Sequence, residues 1–170
     1  MHAADIGFLI LRLNIAAVFL LAAAVHSSPK GWHGLIVDTG ILLRGTALAG
    51  PGPVKLLAVI ALIAMYAGAI AVLVGIELRA GAFLLLPICL GGFVTHLRNR
   101  DDAMAMGNKI NEAAPAALHD AIGHLAFTAF IGHFAAALRN IVMASVMVFL
   151  FLAGGGNWIV SDWLGWCLFR

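Results

Sequence analysis

Long apolar stretches separated by short polar punctuation dominate this chain. Ile6 to Val25, Pro53 to Ile76 and Ala80 to Leu97 each come close to, or exceed, the roughly 20 apolar residues that a helix needs to cross a hydrocarbon core at about 1.5 Å per residue. A fourth apolar run, Ala116 to Ala153, contains no proline and would be about 57 Å long if wholly helical, nearly twice the core thickness. The pattern predicts an all-α, polytopic membrane four-helix bundle in one domain, with spans at 6–25, 53–76, 80–97 and one within 116–153. The last segment is either a long final helix whose first part protrudes or lies on the surface, a helix broken near Arg139, or two elements that include a fifth short crossing.

The polar stretches set the connections. His26 to Gly52 opens with Ser-Ser-Pro-Lys-Gly, which ends the first helix, and closes with Gly-Pro-Gly-Pro, which puts Pro53 near the first position of the next. Between them Leu35 to Leu43 is apolar but too short to span, so it is expected as an interfacial or re-entrant segment. Gly75, Glu77 and Arg79 mark a tight hairpin, and Pro87 predicts a kink in the third helix. Leu97 to Pro115, with nearly balanced acids and bases, reads as a solvent-facing loop.

Composition agrees with this picture and narrows the function classes. Hydrophobic residues make up 63% of the chain, charged residues 11%, and the mean hydropathy is +1.03, which leaves too little polar surface to coat a water-soluble globule. The net charge of +2 comes without a basic cluster interleaved with aromatics, so nucleic acid is not an expected partner. The two cysteines, Cys89 and Cys167, form no CxxC pair, which argues against thiol–disulfide chemistry. Lys30, Arg44, Lys55, Arg98, Arg100 and Lys109 mark the face of the two large loops, against Arg79 and Arg170 on the other face, with Arg12 near it. The positive-inside bias therefore places the loops in the cytoplasm and the termini in the periplasm of a bacterial inner membrane.

Four crossings bring two polar groups of residues together. At the terminal face Arg12 and Asn14 approach Glu77, Arg79, Trp158, Ser161 and Asp162. Charges this close to hydrocarbon need partners, and Asp162 or Glu77 is the expected one for Arg12. The set either staples the bundle end or forms a pocket for a quinone headgroup or another amphiphile. At the opposite face His26, His96, His119 and His124 offer imidazoles that could ligate haem iron or copper. His119 and His124 are five apart, about 140° around a helix, unlike an i, i+4 metal pair. Small residues at Gly68, Gly81, Gly91, Gly92 and Ala135 to Ala137 predict close helix approach.

Read in order, LRLNIAAVFLLAAAVHSSPK, AGAIAVLVGIELRAGAFLLLPICLGGFVTH and AGGGNWIVSDWL resemble the DoxX-like family of small four-helix membrane proteins, which includes the DoxD and MauE types. Arg12, Lys30, Gly68, Gly75, Arg79, His96, Gly154, Gly156, Ser161 and Asp162 carry the resemblance. It departs at Met65, where many members have a glutamate, and in the histidine-rich stretch Ala116 to Arg139, which is longer than the usual connection. The resemblance implies association with membrane redox complexes or quinones. The leading expectation is a small, non-catalytic accessory subunit that shapes quinone access, and a quinone-reactive subunit and a small transporter or channel are the alternatives. The extra segment, with His119, His124, His133 and Arg139, is the expected contact with a membrane protein partner or a second copy, the remaining surface facing lipid.

Overall fold

The computed structural model describes residues 3–75 and 77–154, which are helical throughout apart from short connections. The helices are α1 (Ala3–Ser27), α2 (Pro29–Leu43), α3 (Pro51–Val74), α4 (Leu78–Ala113) and α5 (His119–Ala153), with a single 3-10 turn at Ala116–Leu118 before α5. Among the described residues α1, α3, α4 and α5 are long and apolar enough to cross a membrane. The expected four-helix membrane bundle is therefore present, with α2 as a fifth, shorter helix.

Local chemistry sets each boundary. Ser28 ends α1 and caps α2: its Oγ accepts from the Gly31 amide at 3.1 Å, and Pro29 takes the first position, where no N–H is needed. Glycine is required at 31, because a Cβ there would collide with the Val25 carbonyl at the corner between the two helices. Pro51, one residue pair earlier than expected, starts α3. Gly75 closes it in the left-handed conformation at φ +75°, with its amide donating to the Ala71 carbonyl at 2.9 Å. The segment expected as a re-entrant or interfacial stretch is the second half of α2, which buries Leu35 and Thr39 against the bundle.

The largest difference from the sequence reading lies after His96. No hydrophilic loop follows it. The backbone stays helical to Ala113, and Ala114 then turns extended (ψ 153°) ahead of Pro115, as the residue before a proline is biased to do. The balanced charges of residues 98–113 resemble a loop, but Ala, Met, Arg, Lys and Glu dominate the stretch, and these are strong helix formers. α5 is likewise continuous through Arg139, without a break or a fifth crossing. α4 and α5 thus form an antiparallel hairpin of about 54 Å, longer than one crossing requires. A run of polar residues from Arg98 to Asp102 marks where α4 leaves the apolar zone, and the remaining four turns project beyond it. Gly107 lets the two projecting arms meet closely, since a Cβ there would run into that of Ala126.

The core is built of small and medium side chains from the four spanning helices. Ala16, Ala58, Ala69 and Ala82 are fully buried, and Leu85, Met147, Leu150, Val72 and Cys89 are the largest side chains to be so. Cys89 is a packing residue here. α5 is held chiefly by α4. Near the terminal face it also meets α1, where Phe8 and Phe149 stack with ring centroids 5.8 Å apart.

Candidate functional site

At the terminal face, Arg12 enters the bundle from the middle of α1 and is 2% exposed. Its Nε donates to the Val72 carbonyl at 3.0 Å and one terminal nitrogen to the Leu73 carbonyl at 3.1 Å. These are carbonyls of the last turn of α3, which have no partner within their own helix. The guanidinium therefore acts as a cap supplied by a neighbouring helix. Glu77 and Arg79 follow the same turn and are exposed, with Glu77 itself in the left-handed region at φ +47°. Asn14 lies on the exposed side of α1 and donates to the Ile10 carbonyl one turn back at 2.9 Å. Trp158, Ser161 and Asp162 lie outside the described residues. Arg12 and Asn14 thus each donate to backbone carbonyls, and no chemistry on a quinone is derived from this end.

A cavity lies toward the other face. It measures about 550 Å³, is open on one side and is lined by all five helices, within the range of about 300–1,000 Å³ typical of small-molecule sites. Its apolar wall comes from Phe19 and Ala22 of α1, Met65 of α3, Pro87 and Ile88 of α4 and Met143 of α5. Met65 is buried where it joins this wall. Polar side chains gather toward one end: His26, Asp38 and Thr39, then Thr95 and His96, then Arg139 and Asn140. Val18, Leu21 and Val25 of α1 are exposed and stand at the open side with Arg139.

The hydrogen bonds around this end decide which groups remain available. Thr39 Oγ1 donates to the Leu35 carbonyl at 2.7 Å and Thr95 Oγ1 to the Asp38 carbonyl at 3.5 Å, so each hydroxyl keeps only acceptor capacity. The Asp38 carboxylate accepts from the Asn99 amide at 3.2 Å. Arg98 donates to the Ile41, Leu42 and Arg44 carbonyls at 2.7, 2.9 and 3.3 Å, closing the C-terminus of α2 as Arg12 closes that of α3. Further out, Arg44 forms a two-pronged ion pair with Asp102 at 3.0 and 2.6 Å, both groups about half exposed. The hydrogen bond from Arg44 holds the Asp102 carboxyl below its ordinary range, and the same contact raises the arginine. That pairing supports the docking of α2 at pH values above the ordinary carboxylate range, and is lost as pH falls through the lowered Asp102 value. In contrast, neither Arg139 nor the Asn140 side chain has a hydrogen-bonding partner among the described residues.

The histidines are divided between two places. His26 and His96 share the cavity, where His26 Nδ1 lies 3.2 Å from the Gly31 carbonyl. His96 Nδ1 is 3.3 Å from His133 Nδ1, so one imidazole donates and the other accepts across the α4–α5 seam. His119 and His124 lie far along the hairpin instead: His119 Nε2 pairs with the Ala114 carbonyl at 3.0 Å beside the turn, and His124 is exposed. Among the described residues no group of three or more His, Cys, Asp or Glu side chains is arranged to hold a metal ion. The four histidines considered for haem or copper are therefore not brought to one point.

Sequence reasoning reached His26, His96 and Arg139 but assigned them to separate roles, and it missed Asp38, Thr39, Thr95 and Asn140. Only the fold of α2 back over the bundle makes these one site. The projecting part of α5 adds a second surface. Leu125 and Phe127 are 55–68% exposed there, although this part of the hairpin lies beyond the polar run that ends the α4 crossing, and Ile131 is 45% exposed at the level of that run. Arg100 stands over the Phe130 and Phe134 rings at 5.4 and 5.8 Å and covers part of the same helix. Comparison with protein-family models, curated proteins and solved structures finds no match to the chain.

Proposed function

We propose that this protein is a small, non-catalytic integral membrane subunit that docks on a larger membrane redox complex through the projecting part of the α4–α5 hairpin. The observation that carries this reading is the exposure of Leu125, Phe127 and Ile131 on a helix that continues about four turns past its crossing. In the bilayer such side chains need no further explanation. Beyond the headgroups they cost free energy until a partner covers them, at about 25 cal/mol per Å² of apolar area. The resemblance to DoxX-like proteins supports the redox setting and quinone as the partner complex's membrane substrate. His119, His124 and Asp120 then form the polar rim of the contact.

A photo-crosslinking residue placed at Phe127 in native membranes is expected to link the protein to a subunit of a membrane oxidoreductase. Leu125→Glu with Ile131→Glu is expected to abolish that link while leaving membrane insertion unchanged. Crosslinks only between copies of this chain replace the heteromeric reading with a homo-oligomer, and crosslinks to lipid alone overturn docking altogether.

The reading also includes orientation, with the hairpin cytoplasmic and the N-terminus in the periplasm of a bacterial inner membrane, as the distribution of Lys and Arg supports. Single cysteines introduced at positions 3 and 105 are expected to react with an impermeant maleimide from opposite sides. Reaction of both from one side contradicts the four-crossing arrangement.

A further inference from the structure

We infer that the cavity lined by the five helices is a binding site for a single-chain amphiphile with an anionic head, such as a carboxylate or a phosphate monoester. The argument starts from Arg139. It lies on the crossing part of α5, opposite Gly92, whose Cβ would meet the neighbouring Asn140 amide at 3.0–3.2 Å, and Gly92 precedes by six residues the polar run at which α4 leaves the apolar zone. Arg139 is exposed at the open side of the cavity; a guanidinium level with hydrocarbon is costly unless it is neutralised, and intramembrane cations otherwise pair with acids or backbone carbonyls. Arg12 and Arg98 follow that rule with carbonyls, and Arg44 and Arg100 follow it with Asp102 and Asp101. Arg139 has no such partner among the described residues, yet it lines a cavity.

The remaining groups match an anion at one end and a chain at the other. Asn140 supplies a second uncommitted donor beside Arg139, so an oxyanion could take a forked pair from the guanidinium and a third hydrogen bond from the amide. Asp38, the acid on the opposite wall, already accepts from Asn99, and its backbone carbonyl accepts from Thr95. Beyond this polar end the wall is apolar, and the exposed Val18 and Leu21 leave a side through which a chain can extend toward lipid. A volume of about 550 Å³ suits one chain better than a complete two-chain phospholipid. The inference does not depend on the hairpin's docking partner, and its test uses residues outside that surface.

The test is displacement of a fluorescent fatty acid from the full-length protein in detergent, using palmitate, hexadecanol and palmitoyl lysophosphatidate as competitors. Both acids are expected to compete at least about tenfold more strongly than the alcohol, the factor that corresponds to ~1.4 kcal/mol for a charge-assisted contact. Arg139→Gln is expected to bring the acids down to the level of the alcohol, whereas Arg139→Lys retains part of the preference. Leu21→Trp, at the open side and on an exposed position, is expected to weaken all three, with helical content and thermal transition unchanged. Equal competition by acid and alcohol in the native protein overturns the inference, as does a preference that survives Arg139→Gln. Competition by only one of the two acids fixes the source of the anion, carboxylate or phosphate.

Discussion

Replacing Arg12 with alanine is expected to cost ~2–4 kcal/mol and to lower sharply the yield of monodisperse protein from detergent extraction. Neutral hydrogen bonds between helices in lipid are worth far less, about 0.6 kcal/mol on average, because the separated helices find other partners. Arg12 differs in two respects. Its donors are charged, and they engage the Val72 and Leu73 carbonyls at the end of α3, which have no helical alternative. Truncation leaves those acceptors without their donor and opens a hole beside Ile15 and Ala16 in the best-buried part of α1. Gly75→Ala provides an independent check. An alanine at φ +75° is strained by ~1 kcal/mol, and its Cβ would collide with the Arg12 guanidinium, so this variant should lose the same cap without removing the charge. If Arg12→Ala unfolds at the wild-type temperature while Gly75→Ala does not, the arginine is not the cap of α3 and its place in the bundle needs another explanation.

The number and kind of spanning helices were legible in the sequence because hydrocarbon thickness imposes a length on apolar runs, and nothing in the fold competes with that constraint. The same applies to Gly75, whose place between an apolar run and Glu77 admits little besides a left-handed helix end. The projecting half of α4 was not legible. Arg98 to Glu112 contains the charges of a loop and the propensities of a helix, and the packing of Gly107 on Ala126, a contact between distant positions, favours the helix. Arg12 was singled out as a buried charge with Asp162 or Glu77 as its expected partner, and Asp162 lies outside the described residues. The described partners are carbonyls of another helix, which sequence cannot register because every residue has one. The cavity was illegible for a similar reason: Asp38 and Thr39 belong to a helix too short to span, and Asn140 sits in an apolar run. Which wall they face depends on α2 folding back over the bundle.

Gly81→Leu is expected to destabilise the monomer by ~1–3 kcal/mol, the usual cost of forcing extra methylenes into a packed interface, through a backbone contact that no rotamer change can relieve. Gly68 and Gly81 face each other where α3 and α4 cross. A Cβ at Gly81 would come within 3.0 Å of the Gly68 carbonyl oxygen and of the Ala71 Cβ, while one at Gly68 would meet Leu85 Cγ at 2.7 Å and the Gly81 carbonyl oxygen at 3.1 Å. Leu85 is fully buried and has no space to retreat into. Stripes of small residues on membrane helices serve either packing within the bundle or docking of another subunit, and both use the same close backbone approach. Here the reciprocal carbonyl contacts and the burial of both glycines place the stripe inside the monomer. Gly81→Ala, which asks its neighbours to move by only a few tenths of an ångström, should therefore lower the thermal transition of the detergent-solubilised monomer slightly, and Gly81→Leu much more. A Gly81→Leu variant with wild-type monomer stability but impaired assembly with other proteins would instead assign this face to an external partner.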